Sequence, residues 1–562
     1  MSKLHSPWIG PIIGHTTENS ARIWIRAKAP DDQGVIPSSN SRTVGIIAVL
    51  DATGKPDPNQ TYYFRLRREF DRTGTFLLGT GVNTDSLQNS QTVPGIEYNP
   101  RLSPLIPNTT YSIRVGVLIV DDGFDDNVIV NDEVLFKHLP PPSAWSDALM
   151  ELPDHQCCAS FRTFPQFSQS RLSFLMGSCR YPGLLFKAKK SDAIFAPMQN
   201  KIDNQNSESP IRFVLMTGDQ IYADLLNRVI PVGRADSYKE FQDRYIEAFG
   251  SPNLRKLLSS IPHYMILDDH EIEDNWTQDR INKAETRALF NLAMGAYMSY
   301  QWSHGPRSYD RNLFYHFDCG GFPFFVLDTR TQRFRDDVLD DLTDNHMLGR
   351  PSIDPTNYPS QLDHLCNWLI KQQKEKANFP KFIVTPSVFV PNEISTVKSD
   401  QHKNTSDSWA AFPSTRRRLL DTLVEHRIQN VVFLSGDIHC SCIAELQFKG
   451  SEAAERIKAF SITSSAFYWP FPFADGNPSD FVHDSEKQGD TFYLSNSRFA
   501  LNKLRMDYKA SHFCQDDNFC QIDLDYEKHE LTVQFFDKNG ELLKTRNTDG
   551  VENPMRKTLR LA

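Results

Sequence analysis

Apolar and polar positions alternate strictly from Ala21 to Lys28: Ala21, Ile23, Ile25 and Ala27 fall on one side, Arg22, Trp24, Arg26 and Lys28 on the other. A period of two over this length predicts a half-buried β-strand. Tyr111, Ile113, Val115, Val117 and Ile119 repeat the pattern after the turn at 107–110, and Pro-, Gly-, Asn- and Asp-rich connections separate the runs. Residues 1–140 are therefore expected to form an all-β antiparallel sandwich. Three prolines at 140–142 end the pattern, and 141–170 reads as a linker. From residue 171 the texture changes. Six short apolar runs end in polar residues: 174–179, 213–219, 265–268, 324–328, 382–386 and 431–437. Such runs suit strands buried on both faces. Helical segments fall between them at 284–302, 361–376 and 414–426. Residues 171–562 are thus expected to form an α/β layered core of β-sheets flanked by helices, with ligands beyond the strand ends. The segments 519–525 and 530–536 read as a β-hairpin covering that core.

Composition narrows the class. The chain has 562 residues, 39% of them hydrophobic, with 38 Phe, which is enough apolar surface to exclude global disorder. With 61 basic and 70 acidic residues the net charge is −9, so stable nucleic-acid binding is not expected. No apolar run approaches the ~18 residues of a membrane span. The first residues show no basic segment leading into an apolar one. Nine cysteines without a regular framework fit a reducing compartment. The expectation is a cytoplasmic protein, with a periplasmic or extracellular placement as the alternative if a leader has been omitted. The sandwich itself suits an immunoglobulin or fibronectin-III type, and Tyr111, just after a turn, resembles the corner tyrosine of such domains.

The chemistry gathers at strand ends: Cys179; Asp219 with Tyr222 and Asp224; Asp268, Asp269 and His270 with Asn275; Asp328; and Asp437 with His439. Any one of these reads equally as a turn-former or a core residue. Their recurrence at the same end of successive strands, converging if the strands are parallel, points to one rim. Uncompensated carboxylates there would repel at heavy cost, and a metal cluster neutralises them. Hard oxygen donors with one thiolate, one phenolate and imidazole suit iron or manganese beside a cation such as calcium. Cys440-Ser-Cys442 lacks a partner pair for structural zinc, and a metalloprotease helix is excluded because position 274 is Asp where the second His would stand.

In order along the chain, Gly177-Ser-Cys-Arg180, Gly218-Asp-Gln-Ile-Tyr-Ala-Asp224, Leu267-Asp-Asp-His-Glu271 with Asp274-Asn-Trp276, Leu327-Asp-Thr-Arg330 and Ser435-Gly-Asp-Ile-His439 resemble the motif series of PhoD-like alkaline phosphatases and phosphodiesterases. That family is similar to the calcineurin-like metallophosphoesterases, which implies a metallophosphoesterase-like fold for the core. The resemblance implies an iron (Fe3+) site of Cys179, Asp219, Tyr222 and His439. It also implies a second site, for calcium or another divalent ion such as manganese, held by the bridging Asp219 with Asp269, Asn275 and Asp437. Asp268 and Asp269 are interchangeable at this level. The implied activity is hydrolysis of phosphate monoesters, diesters or both by a metal-bound hydroxide. His270 is the expected acid for the leaving alkoxide, and Arg180 the expected phosphate clamp. Arg330 reads as a structural ion pair oriented by Asp328, and His304 as a surface-loop residue. The alternatives are a phospholipase D-like diesterase acting on lipid or teichoic-acid-type substrates, and a non-catalytic ligand-binding protein on the same fold. The aromatic run 467–473 reads either as pocket lining or as core.

Overall fold

A computed structural model describes residues 3–28, 42–79, 96–97, 102–120, 131–137, 139–182, 188–205, 209–225, 233–309, 312–336, 341–399, 405–471, 476–495, 503–546 and 552–562. Near the amino terminus two antiparallel sheets face each other. Strands Ile9–Thr16, Ser20–Arg26 and Thr73–Gly79 lie in one, and Arg42–Leu50, Pro56–Leu66 and Thr110–Val120 in the other. Ile13, Ile23 and Ile25 meet Ile47, Phe64, Val115 and Val117 between them. The Tyr111 hydroxyl accepts a hydrogen bond from the Ile106 amide at 2.8 Å, which is the local bond a corner tyrosine makes.

Three sequence expectations change here. The segment 141–170 is not a bare linker: after three short helical turns, Cys158–Arg162 pairs with Thr110–Val120 and extends the sandwich sheet. The strand Ser20–Arg26 is buried on both faces, not half-buried, because its polar side docks onto the larger domain. There the Trp24 indole donates to the Ser299 carbonyl at 2.8 Å, and Arg22 bonds the Gly305 carbonyl. Arg26 pairs with Asp71 at 2.7 Å, and Asp71 also takes the Tyr300 hydroxyl. His304, expected on the surface, is buried in this seam at 1% exposure.

In the larger domain the parallel strands fall into two sheets. Arg171–Gly177, Ile211–Met216 and His263–Met265 are parallel neighbours in one; Phe322–Val326, Lys381–Val384, Val431–Ser435 and Ala459–Thr463 are parallel neighbours in the other. The inner faces meet in a core of Phe174, Phe213 and Tyr264 against Phe324, Phe382 and Leu434. Helices Phe195–Asp203, Tyr238–Gly250 and Ala284–Tyr300 cover the first sheet, and Gln361–Glu375 and Pro413–Glu425 cover the second. The order is helix, sheet, sheet, helix. The hairpin of Phe519–Asp525 and Glu530–Phe536 does not cover this core. It lengthens the first sheet beside Arg171–Gly177, because Ile522, Leu524, Val533 and Phe535 alternate into the inter-sheet layer. Among the described residues no helix is long and apolar enough to cross a membrane.

Candidate functional site

The loops after these strands meet at one end of the two sheets. Ile211–Met216 runs into Thr217, Gly218 and Asp219. Gly218 has φ +117°, and a Cβ there would collide with the Asp268 side chain, so only glycine lets the two loops lie this close. The Asp219 carboxylate accepts from the Cys179 thiol and the Tyr222 hydroxyl, each at 3.4 Å, and from the His270 amide at 3.3 Å. The Tyr222 hydroxyl lies 3.2 Å from His439 Nε2. Cys179, Asp219, Tyr222 and His439 therefore form one contiguous group, contributed by both sheets. Carboxylate oxygens of Asp219 and Asp269 and a ring nitrogen of His270 lie within 4.8 Å of one another, as do oxygens of Asp268, Asp269 and Asp437.

Backbone conformation marks the same residues. Cys179 (φ 56°), Asp219 (54°), Asn275 (55°), Asp437 (73°) and His439 (48°) all occupy the left-handed region, although none is glycine. Each such residue costs on the order of 1–3 kcal/mol, a cost that folds tolerate mainly where a side chain must be aimed. Five of the seven residues named as ligands carry it.

Burial without cations makes the carboxyls poor acids. Burial pushes Asp219 well above the usual range; His270 pulls the other way, and Asp268, Asp269 and Glu271 add to the rise. Asp437 moves upward from burial and from Asp407 and Asp268. The Cys179 thiol rises from burial and from Asp219. Among the described residues Asp268 Oδ2 and Asp269 Oδ1 accept no hydrogen bond, although Arg330 Nη2 lies 3.4 Å from Asp269 Oδ1. A cluster of buried acids, one thiol and one phenol, with orphaned oxygens, has the donor set and the electrostatic need for hard cations.

The two adjacent aspartates have different neighbours, although oxygens of both lie within 4.8 Å of an Asp437 oxygen. Asp268, with no solvent exposure, bonds Arg330 Nε, while Asp269 faces Asp219 and His270 and accepts the Asn275 amide at 2.6 Å. The Asn275 side chain lies next to Asp274, to which its Nδ2 donates at 3.1 Å. His270 Nδ1 lies 2.7 Å from Asp224, and its ring stacks on Tyr222 with centroids 4.2 Å apart. Burial disfavours the imidazolium, but Asp224, Asp269 and Asp219 outweigh it and raise the pKa well above its ordinary value.

Arg180 does not join the cluster. Its guanidinium donates to Ser251 Oγ at 3.2 Å and lies 5.9 Å from the Phe195 ring, and burial lowers its pKa to about 10. The guanidinium in the cluster is that of Arg330, which reaches Asp269 at 3.4 Å and Asp437 at 3.5 Å besides Asp268 and Asp407. Asp328 accepts the backbone amides of Arg330 and Thr331, capping the turn rather than holding the guanidinium.

Glu271 is a residue for which the sequence suggested no role. It receives the amides of Asp219 (3.2 Å), Gln220 (2.8 Å) and Asp268 (2.9 Å), and the Gln301 side chain at 3.1 Å, so it clamps two site loops together. Burial lifts its pKa to about 7. Its place directly after His270, in the acidic run 268–275, did not mark it out in sequence.

A family profile described as PhoD-like phosphatase matches residues 193–532. That span includes every residue named above as a ligand except Cys179. Alkaline phosphatase D of Bacillus subtilis (strain 168) is 24% identical over 230 residues, which cover 39% of this chain and 38% of that protein. The match thus spans less than two thirds of the curated relative's length. A solved structure titled "Structure of PhoD" is similar in fold, with a TM-score of 0.58 at 14% identity, covering 99% of this chain and 89% of the other.

Proposed function

Because the chain belongs to the PhoD-like phosphatase family, we propose that it hydrolyses phosphate esters at a two-cation centre where the two sheets meet. The observation that carries this reading is the convergence of Cys179, Asp219, Tyr222 and His439 with Asp269 and Asp437 at backbone positions that are costly to adopt. Cys179, Asp219, Tyr222 and His439 would hold iron. Asp219 would bridge to a second cation, calcium or another divalent ion, with Asp269, Asn275 and Asp437. Bound cations would supply Lewis acidity toward the phosphoryl oxygens and a water of lowered pKa.

The remaining work falls to this chain's own groups. Asp224 fixes Nδ1 of His270, so the other ring nitrogen is free to face the cluster. Asp224, which is not assigned to a cation, favours the imidazolium through that bond, and His270 can hand its proton to a departing alkoxide. Arg330 does not touch substrate in this scheme; it steadies Asp269 and Asp437 from behind. Arg180, turned toward Ser251, has no part in it.

The test is elemental analysis of the purified protein, followed by parallel assays on a phosphomonoester and a phosphodiester. Bound transition metal with turnover is expected, and Asp219→Asn should abolish both bridging and turnover. Undiminished hydrolysis in that variant would overturn the two-cation reading.

A further inference from the structure

The aromatic run beside the site divides into two parts. Phe467 is core: it packs on Phe195 with centroids 5.2 Å apart and fills the space a Cβ on Gly177 would take. Trp469 and Phe471 stay partly exposed and join Tyr181, Tyr222 and Tyr468 in a cluster separate from the main cores. The Trp469 indole stacks on the His439 imidazole at 3.6 Å and 13°, and Tyr222 stacks on His270 at 4.2 Å. Tyr181 meets Tyr222, Trp469 and Phe471 edge-on at 5.1, 5.5 and 5.2 Å. One wall of the centre is therefore acidic and the other is aromatic, running from His270 through Tyr222 and Trp469 to His439.

The hydrogen-bonding state of Trp469 says how that wall recognises a ligand. Its indole N–H donates to the Phe471 carbonyl at 3.0 Å, and its backbone amide to Asp517 at 2.9 Å. With the indole donor spent inside the protein, the ring offers π surface rather than a hydrogen bond. In the proposed reaction the alcohol departs beside His270, whose ring stacks on Tyr222 at one end of this wall.

Building on the phosphoesterase reading, we infer that the preferred substrates carry a flat aromatic or heteroaromatic group on the alcohol side, as aryl and nucleoside esters do, and that Trp469 and Phe471 receive that group. Small aliphatic esters present nothing for this wall to stack on.

Calorimetry with the metal-loaded, full-length protein tests this with two non-hydrolysable probes, phenylphosphonate and methylphosphonate. The phenyl probe should bind about five- to tenfold more tightly, the effect of one good aromatic contact. That ratio should fall toward one in Phe471→Ala and in Trp469→Leu, with metal content followed in parallel by elemental analysis. Equal affinities in the wild type, or a ratio that survives in both variants, would overturn the inference. If neither probe binds and no ester is hydrolysed, the phosphoesterase reading falls and takes this inference with it.

Discussion

Arg330 grips Asp407 with both arms of its guanidinium, Nη1 to Oδ1 at 2.8 Å and Nη2 to Oδ2 at 2.5 Å. Arg333 bonds the same carboxylate, and Arg335 lies 3.8 Å away. Three arginines thus share Asp407, while Arg330 alone reaches on to Asp268, Asp269 and Asp437. Asp407 anchors the cation that neutralises the back of the site.

Removing that cation should be expensive. Arg330 and Asp268 have no solvent exposure, so Arg330→Met removes the donor of Asp268 Oδ1 from a carboxylate whose other oxygen has none. A loss of about 3–5 kcal/mol in urea unfolding is expected, as for other buried pairs deprived of one partner. Arg330→Lys should recover only part of it, because an ammonium cannot span the fork. Wild-type stability in the methionine variant would show that the network does not hold the site.

Cation binding should release protons. Asp219, Asp437 and Cys179 are all driven by burial toward their protonated forms. Folded-state carboxyl pKa values above the unfolded ones mean that the cation-free protein holds more protons folded than unfolded. Its stability is then fully present at acid pH and drains away as pH rises through the folded pKa values. Cations displace those protons, so affinity should tighten with rising pH. Titrations in two buffers of different ionisation enthalpy should report at least about one proton released per cation at pH 7. Chelated protein should lose Tm from pH 5 to 9 more steeply than loaded protein. Buffer-independent heats would contradict this account.

The strand-end residues were legible because each closes an apolar run, and a buried strand leaves its first polar residue at the rim. Cys179, Asp219, Tyr222, Asp437 and His439 were found this way, and the structure gathers them. Arg180 was misplaced by the same logic. The strand ends at Gly177 and the chain turns through the left-handed Cys179, so strand alternation does not set these directions: Cys179 faces Asp219 while Arg180 faces Ser251. Asp407 sits in a polar stretch without period, where nothing local distinguishes an anchor from a solvated loop. Trp24 looked like the exposed side of its strand because a period of two does not distinguish a face that docks on another domain from one that meets water.

One contact in that docking leaves no room for a side chain. A Cβ on Gly14 would strike the backbone carbonyl and Cβ of His304. Gly14→Ala should therefore cost about 1–3 kcal/mol by overpacking and loosen the sandwich from the core. Calorimetry should show one unfolding transition becoming two. Gly250→Ala is the control, since nothing lies within 4 Å of a Cβ there and its φ is not positive; its Tm should hold or rise slightly. Equal effects of the two variants would mean that the seam carries no weight.

The same seam should make the protein sensitive to acid. Burial lowers His263 to a pKa of about 3, and burial together with His263 lowers His304 to about 3. His15, held at the seam by Tyr264 at 3.2 Å, is also lowered by burial and by Arg22. These rings are neutral in the folded protein and titrate near 6.5 once unfolded. Between pH 6.5 and 3 the unfolded chain therefore binds more protons, so stability falls as pH falls. At pH 5 the expected loss is ~2 kcal/mol for each of His263 and His304 relative to pH 7.5. The cation-free carboxyls act in the opposite direction, so the measurement belongs on metal-loaded protein, by urea unfolding at several pH values. His304→Gln should reduce the slope of stability against pH by one residue's share, even if it lowers stability at pH 7.5 through lost packing. A slope unchanged by that substitution would show that the acid sensitivity arises elsewhere.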